Sequence, residues 1–374
     1  MGQESKIKVA VVGAGASGCI CAYHLLKAGI NVTLFDKNLP LRTLLPTGGG
    51  RCNLAHAEYD FKELAKNYPR GEKFLYSVFS QFSTSDTIEL FNEMGIKTYT
   101  QDDGRIFPKS NSSKDVQKVI LQELRTKNVK FIQKEIKDIN ELFEKYSAVV
   151  VATGGHSGYE LLKQFSIKII EPRPSLVGLN TKEDFMALSG IVIKSAMIDG
   201  IQEDILFTHF GVSGPLIYKI SSLNAFNEIP YIVTVDLCQN LLNLQEILNS
   251  NPHKELKNIL ADFLPNKIAK FILKDIDETL KGYQVNGTTR DLILQRIHEF
   301  KITVNGTNKG EETVTAGGVD LDEINPKSME LKKVPNMYCI GEILNIDGFC
   351  GGFNLQNAWS TAYVCAKSII AQAK

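Results

Sequence analysis

The stretch Lys8-Val9-Ala10-Val11-Val12-Gly13-Ala14-Gly15-Ala16-Ser17-Gly18 decides the fold. An apolar run, Ile7 to Val12, leads into the glycines, and a second run, Asn31 to Phe35, ends on Asp36. That order predicts a strand, a tight turn, a helix and a second strand. Gly13 permits the turn, Gly15 lets the backbone approach a pyrophosphate, and Gly18 lets the helix pack closely on the strand. With Ala14, Ala16 and Ser17 they form a turn whose unpaired helix N–H groups face phosphate. Asp36 stands 23 residues after Gly13, where a carboxylate accepts bonds from ribose hydroxyls. An ordinary βα turn with three convenient glycines is the alternative, and it leaves Asp36 unexplained. The charge of Asp36 repels a 2′-phosphate, which argues against NADP at this turn.

Composition sets bounds. At 374 residues the chain is long enough for two or three domains. Its 42 Lys and Arg balance 42 Asp and Glu, so no global field favours nucleic acid or anionic lipid. Phe and Tyr are spread without a basic stripe, so nucleic acid is not expected as a standing partner. Apolar stretches are strand-sized and the first residues are polar, so neither a membrane span nor a cleavable signal peptide is expected. The seven cysteines are scattered, without a Cys-x-x-Cys, and support neither a disulfide scaffold nor a metal site. A reduced, cytoplasmic protein is the expectation; its oligomeric state is left open.

Further along, Thr47-Gly48-Gly49-Gly50-Arg51-Cys52-Asn53 is too rich in glycine for a helix or strand. Helical spacing recurs at 59–67, 74–82, 85–94 and from Ser112 or Ser113 to Lys127. Short strands are predicted at 129–133 and 136–139, and Ala148 to Ala152 reads as a buried parallel strand ending in Thr153-Gly154-Gly155. Past Pro172 come short β-like segments (175–179, 191–198, 205–207, 231–237), a polar helical stretch from 244 to about 300, and strands at 301–304 and 312–314. Met337 to Ile340 is a further core strand. The motif Asp347-Gly348-Phe349-Cys350-Gly351-Gly352-Phe353-Asn354 then opens a small-residue helix, with Asn354 as its expected N-cap.

These motifs, in order with Gly104-Arg105-Ile106-Phe107-Pro108, Thr208-His209-Phe210-Gly211-Val212-Ser213-Gly214-Pro215, Thr315-Ala316-Gly317-Gly318-Val319 and Gly341-Glu342, make the chain resemble the BaiN/YhiN-like flavoprotein family. That family is also described as aminoacetone-oxidase-like NAD(P)/FAD-dependent oxidoreductases. The resemblance implies an α/β protein whose Rossmann-like FAD-binding domain is built from both chain ends. Residues 1–172 and 333–374 would form that domain, and 173–332 an inserted β-rich domain carrying a helical segment. It further implies non-covalent FAD, with Gly13 to Gly18 at the pyrophosphate, Asp36 and Lys37 at the adenosine ribose, and the Ile136 backbone at adenine. Thr153 and Gly154 would end a strand over the cofactor. Gly341, Glu342, Gly348, Gly352, Phe353, Asn354 and Leu355 would approach the flavin.

Gly49, Gly50, Arg51, Cys52 and Asn53 read as further cofactor contacts, because the glycines admit close approach and the guanidinium bridges phosphates. Cys52, next to that cation, is a weak candidate for a redox thiol of lowered pKa; a buried packing cysteine is the plainer reading. His209 is a weak candidate for proton donor or substrate contact, balanced by a structural histidine in a tight loop. Arg105 reads as a solvated turn residue rather than an anion contact. The expected activity is an FAD-dependent oxidation or reduction of a small molecule, with NAD(P)H as a transient electron donor. Two alternatives stay open: a flavin-binding or RNA-modification accessory protein with structural FAD, and a flavin-free NAD-dependent dehydrogenase.

Overall fold

The computed structural model describes residues 7–308 and 314–373. The chain forms two units: one runs to Arg173 and resumes at Val314, the other begins at Pro174.

The first unit is built on a five-stranded sheet in the order Met337–Cys339, Ala148–Val151, Lys8–Val12, Asn31–Asp36, Lys130–Gln133. Every pairing is parallel, with Val12 opposite both Phe35 and Val151, and Tyr338 opposite Val150. Val9–Val12 and Ala148–Val151 are buried throughout, which is why both read as unbroken apolar runs. Helix Ala16–Lys27 packs against Ser113–Thr126 and, more extensively, against the last helix, Phe353–Gln372. Small residues on both partners, with Cys21 beside Cys365, let these two helices lie close. All five strands run the same way, so Gly13, Asp36, Ala152 and Ile340 gather at the carboxyl edge, where open α/β sheets bind ligands. A three-stranded antiparallel sheet (Ala55–His56, Arg105–Pro108, Thr98–Thr100) and the pair Ile169–Ser175 with Val314–Val319 complete this unit.

The second unit holds a six-stranded antiparallel sheet: Val192–Ile198, Ile201–Thr208, Gly211–Ser213, Leu179–Thr181, Phe300–Thr307, Tyr231–Val235. The helical stretch consists of Leu244–Ser250, Leu256–Leu260, Asn266–Ile272 and Gly287–His298. Their apolar faces and the sheet share one core, centred on Phe185, Phe207, Phe271 and Phe300.

Three expectations shift. The chain returns to the first unit at Val314, earlier than residue 333, because the 314–319 strand pairs there and Thr315 N–H donates to Glu342. Residues 136–139 form no strand: Ile136 and Ile139 are both buried, a spacing of three that one strand face cannot supply. The segment 175–179 is broken at Leu176, whose φ is 54°, and the Val177 N–H is taken by the Ser221 hydroxyl instead of a ladder. Of the expected strand 312–314, only Val314 lies within the described residues. Among those residues no helix is long and apolar enough to cross a membrane.

Candidate functional site

The glycine turn divides its work as its spacing implies. Gly13 has φ 108°, and a Cβ there would fall 2.2 Å from the Ala152 carbonyl oxygen, so the turn sits flush against the neighbouring strand end. A Cβ on Gly18 would lie 1.9 Å from the Gly13 oxygen, which fixes the helix on its own turn. Gly15 is different: the nearest atom to a Cβ there is the Thr43 hydroxyl, at 3.9 Å. Gly15 is also the N-cap, and having no side chain it leaves the first helical N–H groups uncapped. The turn is thus closed on the protein side and open on the other.

Asp36 ends the second strand half-buried. Its Oδ2 accepts the Ala14 N–H at 2.8 Å and Oδ1 the Asn38 N–H at 2.7 Å, which leaves each oxygen a further lone pair. Lys37 is exposed and pairs with Glu135 at 3.2 Å. Ile136 follows the edge strand whose Gln133 lies opposite Asp36. Thr153 is turned inward, its hydroxyl donating to the Ser157 carbonyl at 2.7 Å, whereas Gly154 (φ 78°) faces open space.

The loop 47–53 is a chain of left-handed residues: Gly48, Gly49, Gly50 and, unusually, Cys52, with φ from 57° to 82°. Gly48 is hemmed in by Asn53 and Phe107, while Gly49 and Gly50 meet nothing. Arg51 lies over the Phe107 ring at 4.1 Å. Asn53 is buried with its Oδ1 unpartnered, a cost the fold carries without return in the isolated protein. Cys52 matches the plainer of its two readings, a buried packing cysteine. It is fully buried, and desolvation pushes its thiol up to about 12 despite a bond with Thr47, so the neighbouring guanidinium does not generate a thiolate.

The C-terminal segment closes the same edge. Gly341 (φ 74°) is pressed against Ser17, where a Cβ would sit 2.5 Å from the hydroxyl, and its N–H is tied to Thr361 at 3.0 Å. Glu342 accepts the Thr315 N–H at 2.9 Å, and burial raises its pKa. The last helix begins at Phe353 with Gly352 (φ 98°) as its N-cap, not Asn354. Asn354 instead bonds both polar atoms of Gly348. Leu355 is half-buried against the core.

Sequence spacing did not reveal what anchors this loop. Asp347, fully buried, receives two bonds from Arg70. The Tyr68 hydroxyl donates to the Phe353 carbonyl at 2.6 Å, and His56 stacks on the Phe353 ring at 4.7 Å with Nδ1 3.1 Å from the Gly351 carbonyl oxygen. The partners lie almost 300 residues apart in sequence, beyond any local rule; the only signal was Tyr68-Pro69-Arg70-Gly71, a turn carrying an aromatic and a cation. Arg105, half-exposed, pairs with Asp103. His209 belongs to the second unit, exposed at the two-residue tip between Thr208 and Gly211, its ring against Phe210. That unit also contains cavities of about 350 and 440 Å³, lined by none of the expected residues.

Comparison with known proteins gives this geometry its relatives. The Ribosomal RNA dihydrouridine synthase of Escherichia coli is 32% identical, over 96% of this chain and 97% of its own. That of Haemophilus influenzae is 33% identical, over 97% and 98%. The 3-dehydro-bile acid delta(4,6)-reductase of Clostridium scindens is 24% identical, over 96% and 98%. The first two names overturn the expectation that nucleic acid is no partner. That expectation rested on a net charge of zero and on aromatics spread without a basic stripe; neither a sum over the whole chain nor a linear reading of it says how charge is distributed on the folded surface. The model of the HI0933-like protein Rossmann domain matches residues 7–368, and the chain belongs to that family.

Proposed function

We propose that this protein is an FAD-dependent reductase that acts on a uridine of ribosomal RNA. The observation that carries the reading is the identity of 32–33%, over nearly the full length of both partners, with two proteins named for that reaction. The name of the third relative points the same way chemically. Dihydrouridine formation and reduction of a 3-keto steroid at its 4,6 double bonds both saturate a C=C bond conjugated to a carbonyl. When bound and reduced, FAD supplies the hydride for such a bond.

The residues present fit the cofactor. The open side of Gly15 and the uncapped N–H groups of Ala16 to Gly18 would hold the pyrophosphate, and the free lone pairs of Asp36 the adenosine ribose. Gly49 and Gly50 admit a ligand, Arg51 offers charge beside it, and the unpartnered Asn53 oxygen awaits a donor. Gly348 to Leu355, pinned by Arg70, Tyr68 and His56, would border the flavin and hold its edge rigid. NAD(P)H is the proposed electron donor, docking transiently. Small molecules bearing a conjugated C=C remain the second reading, favoured by the third relative alone.

The test is expression in a bacterial strain deleted for its own ribosomal RNA dihydrouridine synthase, followed by nuclease digestion and mass spectrometry of the RNA. Restored dihydrouridine is expected. Its absence, with yellow, FAD-loaded protein in the same cells, would refute the substrate assignment.

A further inference from the structure

Helix Ser113–Thr126 buries Val116, Ile120 and Leu124 and turns a different stripe outward. Lys114, Lys118 and Arg125 fall within about 40° of one another around the helix axis and span about 16 Å along it. All three are exposed, and among the described residues none forms an ion pair; the neutral Leu121 and Gln122 lie beside them. Asp115, the exposed acid of the same helix turn, is set off by roughly 80°. This arrangement is unfavourable for the free helix. Lys114 in the first turn opposes the macrodipole, and Lys114 with Lys118 is a like-charge pair at i, i+4.

The surroundings add cations. Ser113 Oγ donates to the Leu45 carbonyl at 2.7 Å and Gln117 Nε2 to the Pro40 carbonyl at 3.2 Å. The helix is thereby docked on the segment that carries exposed Arg42 and runs into the glycine loop at Thr47. Lys97 and Lys109 extend the antiparallel pairing of Thr98 with Pro108, joined by a Lys109 N–H to Lys97 carbonyl bond of 2.8 Å. Both are exposed and outside every ion pair among the described residues, although like charges placed opposite each other repel.

We propose that Arg42, Lys97, Lys109 and the Lys114–Lys118–Arg125 stripe form the seat of an RNA phosphodiester backbone, leading along the helix to the glycine loop. The inference rests on the RNA reading above and adds the surface that engages the partner. Uncompensated cations are repaid when phosphates bind and release their counterions. About 16 Å accommodates four or five phosphates of a stacked strand at ~3.4 Å each.

The experiment compares wild type, the triple variant Lys114→Ala/Lys118→Ala/Arg125→Ala, and a control, Lys137→Ala/Lys145→Ala/Lys182→Ala, which removes the same charge from other exposed positions. The probe is a fluorescein-labelled 20-nucleotide single-stranded RNA, followed by anisotropy across a salt series. The stripe variant should bind at least tenfold more weakly, and its slope of log K against log salt should be shallower by about 2, three contacts at ~0.7 each. The control should match wild type, and FAD content should be equal in all three. Wild-type affinity and slope in the stripe variant would overturn the proposal, as would wild type that captures phosphatidylglycerol vesicles but not RNA. If wild type binds RNA through the stripe yet forms no dihydrouridine, the surface stands and the reaction assignment falls.

Discussion

The Asn354 carboxamide holds Gly348 by both of its backbone groups: Nδ2 donates to the carbonyl oxygen at 2.7 Å, and Oδ1 accepts the N–H at 2.9 Å. The first turn of the last helix is thereby clamped to the loop that precedes it. Asn354→Asp keeps the acceptor, removes the donor and sets a carboxylate against the Gly348 carbonyl. The variant should lose about 1 kcal/mol of stability in urea denaturation, as expected for one hydrogen bond lost against a small dipole gain. Amide exchange around Gly348 should accelerate. Unchanged stability and protection would mean that the clamp does not hold the loop.

Gly15 and Gly18 separate binding from folding. Gly15→Val introduces a side chain whose Cβ meets only the Thr43 hydroxyl, at 3.9 Å, at a φ of −78° that any residue adopts, so the variant should fold with wild-type circular dichroism and purify without flavin. Gly18→Ala forces a Cβ onto the Gly13 carbonyl and should cost about 2–3 kcal/mol of stability, the scale of overpacking in a closed site. Flavin absorbance and the melting temperature, measured on both, should move in opposite variants. A fully yellow Gly15→Val protein would contradict the assignment of the open side.

His24 sets a pH dependence of folding. It lies among Tyr23, Phe82 and Tyr363 with Nε2 unpartnered, and burial, then the charge of Lys27, lowers its pKa to about 4. Between pH 6.5 and 4 the unfolded chain binds a proton that the folded one refuses. Stability is therefore full above 6.5 and declines as pH falls to about 4. The shift from 6.5 to about 4, at 1.36 kcal/mol per pH unit, gives roughly 3 kcal/mol. His24→Phe should remove this component, so the wild type minus variant difference in urea midpoint should fall across that window. A difference independent of pH would show that His24 protonates freely in the folded state.

What could be read in advance follows from range. The βαβ unit was legible because periodicity, glycine spacing and Asp36 lie within 36 residues, and the close approaches at Gly13 and Gly18 follow from backbone sterics alone. The strands Ala148–Val151 and Met337–Cys339 were legible because burial on both faces writes an unbroken apolar run. The cap of the last helix was misread: Asn354 has the chemistry of a cap, but Gly352, with its positive φ, takes the position and frees Asn354 to bind Gly348. Cys52 is a buried packing cysteine, and its place beside Arg51 in sequence does not offset burial enough to lower its thiol pKa. Arg70 with Asp347, and His56 with Phe353, meet only through the fold. The basic stripe of helix 113–126 was hidden by a balanced total; it emerges only when exposure and ion pairing are known residue by residue.

One measurement bears most directly on the reaction. The purified protein is reduced anaerobically, excess reductant is removed, and it is mixed with ribosomal RNA from a strain that lacks dihydrouridine there. Flavin absorbance near 450 nm and RNA dihydrouridine are followed together. The RNA should reoxidise the flavin, with one dihydrouridine formed per flavin reoxidised. A flavin that stays reduced in the presence of that RNA, yet reoxidises at once in air, would contradict the reaction assignment.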